Sequence, residues 1–150
     1  MAPVLTVTDR VHDAELARIK AGLAASDPAL GPYRPAPLAV LLHGAGDGRA
    51  AGRGALLGGL VGETAWQWLS IRLLWVDPAH RGAGQGRRLL AAAVAEARRR
   101  GCDHGRVNTF SFQAAGFYER CGWWRVLTLD DFPRGHQRLF YIKSLAGAGD

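Results

Sequence analysis

The run Val76-Asp77-Pro78-Ala79-His80-Arg81-Gly82-Ala83-Gly84-Gln85-Gly86-Arg87-Arg88-Leu89-Leu90 holds the residues whose types and spacing bear most directly on chemistry. An apolar stretch from Ile71 to Val76 stops at Pro78. A glycine-dense loop follows from Arg81 to Gly86, and an amphipathic helix pattern then runs to Arg100. A strand that feeds a tight glycine loop into a helix N-terminus makes an anion site. The first N–H groups of the helix lack partners, and the helix dipole adds about half a positive charge there. Glycines also let a ligand approach the backbone with no Cβ in the way. Arg81, Arg87 and Arg88 flank the loop, so the expected guest carries phosphate.

The elements that must position this loop follow from periodicity. Val4 to Thr8 alternates like a short strand, and His12 to Ala25 carries Leu16, Ile19, Ala21 and Leu23 at helical spacings. Leu38 to Leu42 reads as a strand after a Pro-rich connection. His43 to Gly54, centred on Asp47-Gly48, reads as a turn into a partner strand over Ala55 to Val61. Within that strand Gly58-Gly59 suggests a bulge or a close backbone approach. Trp68 to Val76 is the longest strand candidate. The helix over 84–100 places Leu89, Leu90, Ala93, Val94 and Ala97 on one stripe and ends at Gly101. Arg106 to Phe110 is the next strand and Gln113 to Arg120 a short helix. Strands over Trp123 to Leu129 and Arg138 to Ile142 close the chain. Strands with one long crossover helix among them predict an α/β fold with a mixed sheet.

Composition bounds the function. The 150 residues suit one domain, and no apolar stretch approaches the roughly 20 residues that cross a bilayer. No secretory signal pattern stands at the N-terminus, so a cytoplasmic protein with no membrane role is the expectation. Cys102 and Cys121 form no CxxC pair and are expected as reduced thiols. The net charge of +6 and the pI near 10.1 raise a nucleic-acid reading. Arginine supplies nearly all of that charge, beside abundant Ala and Gly, as a GC-rich bacterial-like genome would give. The dense run Arg98-Arg99-Arg100 ends a helix, where cations meet the dipole favourably, so nucleic acid is not the expected partner. His12, His43 and His104 lack partners at ligand spacing, and no metal site is expected.

Arg81-Gly82-Ala83-Gly84-Gln85-Gly86, with its Leu74-x-Val76-x-Pro78 lead-in and Leu89-Leu90 tail, resembles the acetyl-CoA signature of the GNAT N-acetyltransferases. Ala114-x-x-x-Tyr118-x-x-x-Gly122-Trp123 resembles a second element of that family, one helix and one strand later, and the likeness covers about residues 38–145. It implies a single N-acetyltransferase domain over 1–150. The implied sheet is mixed, mostly antiparallel and twisted, with six to seven strands, flanked by helices and splayed at its central strands. A homodimer through sheet edges or the last strands is compatible with the family. One departure stands at Ser111, where the family commonly shows an Asn seven positions before its Tyr. Ser111 can cap the following helix, with a shorter reach toward a cofactor.

The resemblance implies direct transfer of an acetyl group from acetyl-CoA, as co-substrate, to a primary amine of a small-molecule acceptor. The backbone of residues 82–87 would hold the pyrophosphate, flanked by Arg81, Arg87 and Arg88. Leu74, Trp75 and Val76 would pair with the pantetheine arm like an added strand. A backbone N–H near Leu74 or Val76 would meet the charge that builds on the thioester oxygen. Tyr118 resembles the family's general acid and would also touch the cofactor; the other reading is a core tyrosine packed beside Phe117. Glu63 stands where a family base or its water relay often sits, or is a solvated turn residue. His136, Asp130 and Asp131 stand in the final loop, which in this family often borders the acceptor; they would bind a cationic substrate or form a polar hairpin connection. Trp66 and Trp68 would line an acceptor pocket or serve as core or dimer contacts, and most of the five tryptophans are expected in the core. Two further readings stay open: a non-catalytic acetyl-CoA sensor, and a basic nucleic-acid binder whose strand aromatics stack bases.

Overall fold

The apolar runs become strands and the 3.6-period stripe becomes a helix. In the computed structural model the described residues are 3–26, 29, 31, 33–45, 54–114 and 116–147. The chain forms two compact units, residues 1–34 and 35–150. The first holds helix α1, Asp13–Ala24, whose Glu15 carboxylate accepts a hydrogen bond from the His12 backbone N–H at 3.1 Å. Val4 to Thr8 forms no strand, contrary to its alternation. Alternation marks two faces but supplies no pairing partner, and the Thr8 hydroxyl instead closes a local turn with Arg10.

The second unit runs β1 (Ala36–His43), β2 (Leu56–Ala65), β3 (Trp68–Val76), α2 (Gln85–Arg99), β4 (His104–Phe110), α3 (Phe117–Arg120), β5 (Trp124–Asp130) and β6 (Gln137–Ser144). A single 3-10 turn, Pro78–His80, lies between β3 and α2. The six strands make one open sheet in the order β1-β2-β3-β4-β6-β5. Every pairing is antiparallel except β3 with β4, which flank the α2 crossover. This is the expected mixed, mostly antiparallel sheet, with six strands.

Helix α2 buries Leu89, Leu90, Ala93, Val94 and Ala97, the stripe read from the sequence, in one core with Leu38, Leu60, Leu69, Ile71 and Val107. Burying such side chains stabilises the unit by about 1.5–3 kcal/mol each. The helix end is tied down by Arg100, which donates to the carbonyls of Ala36 and Pro37 and to the Thr64 hydroxyl. Arg99 and Arg100 also donate to Glu96, holding its carboxyl down at about 2.

Several boundaries differ from the sequence reading. Strand β2 continues to Ala65 and meets β3 through a two-residue turn, Trp66 (φ 46°) and Gln67 (φ 63°). Such turns normally carry Asn or Gly, so Trp-Gln gave no signal. Helix α3 is four residues long and its N-cap is Gly116, so Ser111 caps nothing there. The middle of the 43–54 connection lies outside the described residues. Gly58 does mark a close approach: a Cβ there would come 3.0 Å from the Trp75 carbonyl oxygen. Of the tryptophans only Trp123 is buried, whereas Trp66, Trp75 and Trp124 are exposed and Trp68 stacks on His104 at 4.7 Å.

Candidate functional site

The parallel ladder between β3 and β4 covers only Trp68–Ile71 against His104–Val107. One extra residue, Arg72, sits in β3 where the pairing with β2 shifts: Ile71 opposes Gly62, and Leu73 opposes Val61. Beyond it β3 keeps its ladder to β2 as far as Val76 but shares none with β4. Backbone groups on one edge of Arg72 to Val76, apart from the Val76 carbonyl, are therefore open to another extended chain.

An open cleft of about 1050 Å³ occupies this divergence. Leu74, Trp75 and Val76 form one wall, with Asn108, Thr109 and Phe112 across from them. Arg81, Gly82, Gly84, Gln85, Gly86 and Arg87 line its loop side, at the start of α2. Gly82 (φ 77°) and Gly84 (φ 76°) take left-handed conformations that side chains resist. A Cβ at Gly84 would meet no atom within 4 Å, so this approach to the helix N-terminus is open. The Arg81 Nε donates to the Val76 carbonyl at 2.9 Å, joining the loop to the end of β3. Arg87 reaches across to the Arg120 carbonyl at 3.2 Å. Gly86 lets α2 approach Phe117, whose ring a Cβ would meet at 3.3 Å.

Tyr118 also lines the cleft. It is 4% exposed, its ring lies among Phe117, Trp123 and Tyr141, and its hydroxyl makes no hydrogen bond among the described residues. Burial, helped by Cys121 and Tyr141, pushes the phenol up to about 12. Such a group is neutral throughout the physiological range and holds a proton to donate. Tyr118 is thus packed as core and also lines the cleft.

Other predicted residues lie elsewhere. Ala83 and Arg88 belong to the loop and helix start but not to the lining, and Arg88 donates to the Gln85 side chain. The Ser111 hydroxyl accepts from the Gln137 N–H at 3.0 Å, which fastens it to β6 and away from the lining. Glu63 sits on β2 between Pro37 and Ser70 in the ladders, also outside the lining. Asp130 accepts from Gln137, and Asp131 accepts from the Gly135 N–H, so both serve the hairpin connection. Trp66 lies in a turn rather than alternating with Trp68 on a strand, and neither lines the cleft. Cys121 is half-buried at the cleft wall. Sequence reasoning passed over Arg72, Asn108, Phe112 and Arg120 as lining residues. Asn108 gave no distinct signal, because its strand also carries His104, Arg106 and Thr109.

Residues 42–125, more than half of the chain, match the family model of the GNAT acetyltransferase domain. The chain belongs to that family. Blasticidin-S acetyltransferase of Streptomyces morookaense is 49% identical over 94 residues, which span 62% of this chain and 69% of that protein. An acetyltransferase of Agrobacterium fabrum is 42% identical over 81 residues, 54% of this chain and 59% of its own length. A crystal structure from Agrobacterium tumefaciens, assigned as an acetyltransferase, superposes with a TM-score of 0.76 at 31% identity. That match covers 96% of this chain and 99% of the other. The chain is accordingly an N-acetyltransferase of the GNAT family. Among its described residues no helix is long and apolar enough to cross a membrane.

Proposed function

We propose that this GNAT domain moves an acetyl group from acetyl-CoA directly to a primary amine of a small molecule. The observation that carries the reading is the divergence of the parallel pair β3 and β4, with the glycine loop and the α2 N-terminus at its mouth. An extended pantetheine chain pairs with the open edge of Leu74, Trp75 and Val76. Its pyrophosphate meets the N–H groups of residues 82–87, with Arg81 and Arg87 supplying charge.

A backbone N–H of the open edge, near Leu74 or Val76, donates to the thioester oxygen as negative charge builds there. The amine nitrogen bonds to the carbonyl carbon, the carbon–sulfur bond breaks, and Tyr118 gives its proton to the departing thiolate. The proton shed by the amine leaves through water. Glu63 would act as base only through water, since it lies outside the lining.

The acceptor class follows from the relative named for blasticidin S, which makes that antibiotic the first amine to try. Purified protein is mixed with acetyl-CoA and an amine panel led by blasticidin S, and free thiol is followed. Thiol release that depends on the amine, with an acetylated product seen by mass spectrometry, is the expected result. Acetyl-CoA that binds but is consumed with no amine in the panel favours a sensing role instead.

A further inference from the structure

The face of the sheet turned away from α2 carries a second constellation at the open end of β4. Arg138 on β6 lies opposite Phe110 in the ladder, and its guanidinium carbon is 5.3, 5.0 and 5.7 Å from the ring centroids of Phe110, Phe132 and Phe140. Its Nε donates to the Asn108 Oδ1 at 2.8 Å. These contacts fix the plane of the guanidinium and employ one of its five N–H groups. Among the described residues no carboxylate lies within ion-pair distance of it, and its terminal nitrogens make no hydrogen bond. The two acids of the neighbouring hairpin are engaged elsewhere, Asp130 with Gln137 and Asp131 with Gly135.

The constellation borders the cleft through two residues, while Arg138 itself stands behind the lining. Asn108, which holds Arg138, is itself a lining residue. So is Phe112, whose ring stacks on Phe110 at 5.2 Å and meets His136 edge-on at 4.8 Å. A half-buried cation walled by rings has lost part of its water, and ring faces replace that water only in part. A carboxylate is a group whose two oxygens match a guanidinium fork held in one plane. The surrounding rings suit a flat, apolar body beside it.

We propose that Arg138 is the acceptor-recognition residue, and that the acceptor is a primary amine on a planar body bearing a carboxylate, which docks on the Arg138 fork. This rests on the acetyl-transfer reading and narrows its substrate class. Asn108 is the positioning residue, holding the guanidinium beside the cleft wall that it lines.

The test uses para-aminomethylbenzoate, which combines a carboxylate, a ring and a primary amine, against its methyl ester. Each is titrated calorimetrically into wild-type protein loaded with desulfo-CoA, which cannot transfer an acetyl group. The acid should bind about tenfold tighter than the ester. Arg138→Met should erase that preference, Arg138→Lys should keep part of it, and desulfo-CoA affinity should stay unchanged in both variants. Equal binding of acid and ester to the wild type, or binding of neither, overturns the inference. A loss of desulfo-CoA affinity in Arg138→Met also overturns it, because the arginine would then serve the cofactor's phosphates. The acid-against-ester comparison needs no variant, so a variant that misfolds does not blunt it. Failure of desulfo-CoA to bind the wild type strikes the underlying acetyl-transfer reading instead.

Discussion

Tyr118 was legible from its spacing to Gly122-Trp123, yet its environment was not. Burial among Phe117, Trp123 and Tyr141 raises its pKa to about 12, because the phenolate loses water that the rings cannot replace. The neutral phenol is therefore the form the fold favours. Its contribution to stability is complete below the ordinary tyrosine value near 10 and is lost as pH rises through about 12. Tyr118→Phe should lower kcat about a hundredfold while leaving acetyl-CoA affinity within a factor of about two. The wild-type rate should show no falling alkaline limb below pH about 10, since the proton donor keeps its proton there. A falling limb near neutrality, or full activity in the Phe variant, would remove Tyr118 from the proton-donor role. Arg138 carried no comparable signal. In an arginine-rich chain it reads as one more cation, and its meaning comes from phenylalanines on β4, β6 and the final hairpin that meet only in the fold.

The elements that hold the cleft depend on two kinds of signal, of unequal visibility. Helix α2 was legible because its stripe and its glycine entry are both local in sequence. The divergence of β3 from β4 was not derivable from residues and entered only through the family resemblance, since loss of pairing is a property of two strands. Strand β4 is held at its other end by Gly105, where a Cβ would lie 2.7 Å from the buried Trp123 ring. Gly105→Ala must therefore move that ring or the strand, and should destabilise the protein by about 1–3 kcal/mol in urea unfolding. An unchanged midpoint would show that β4 is not pinned there. The reach of β2 to Ala65 escaped notice because side chains at Trp66 and Gln67 occupy backbone conformations that sequence rules give to glycine and asparagine.

For the molecule as a whole, the charge of +6 gains meaning from where the cations stand. Arg81 and Arg87 line the loop side of the cleft at the α2 N-terminus, so the charge there suits an anionic co-substrate. Attraction of that kind is screened over about 8–10 Å at physiological salt, so acetyl-CoA affinity should fall as ionic strength rises. Bound co-substrate should also raise the unfolding free energy, by about 2.7 kcal/mol at a hundredfold excess over Kd. The most direct measurement is calorimetric titration of acetyl-CoA beside dephospho-CoA and free pantetheine, at low and high salt. Saturable one-to-one binding of acetyl-CoA that is weakened by salt and largely lost with pantetheine, which lacks the phosphates, is the predicted result. Folded protein that binds none of them, or binds pantetheine as well as acetyl-CoA, would contradict the assignment of the 81–87 loop to the phosphates and of the cleft to acetyl-CoA.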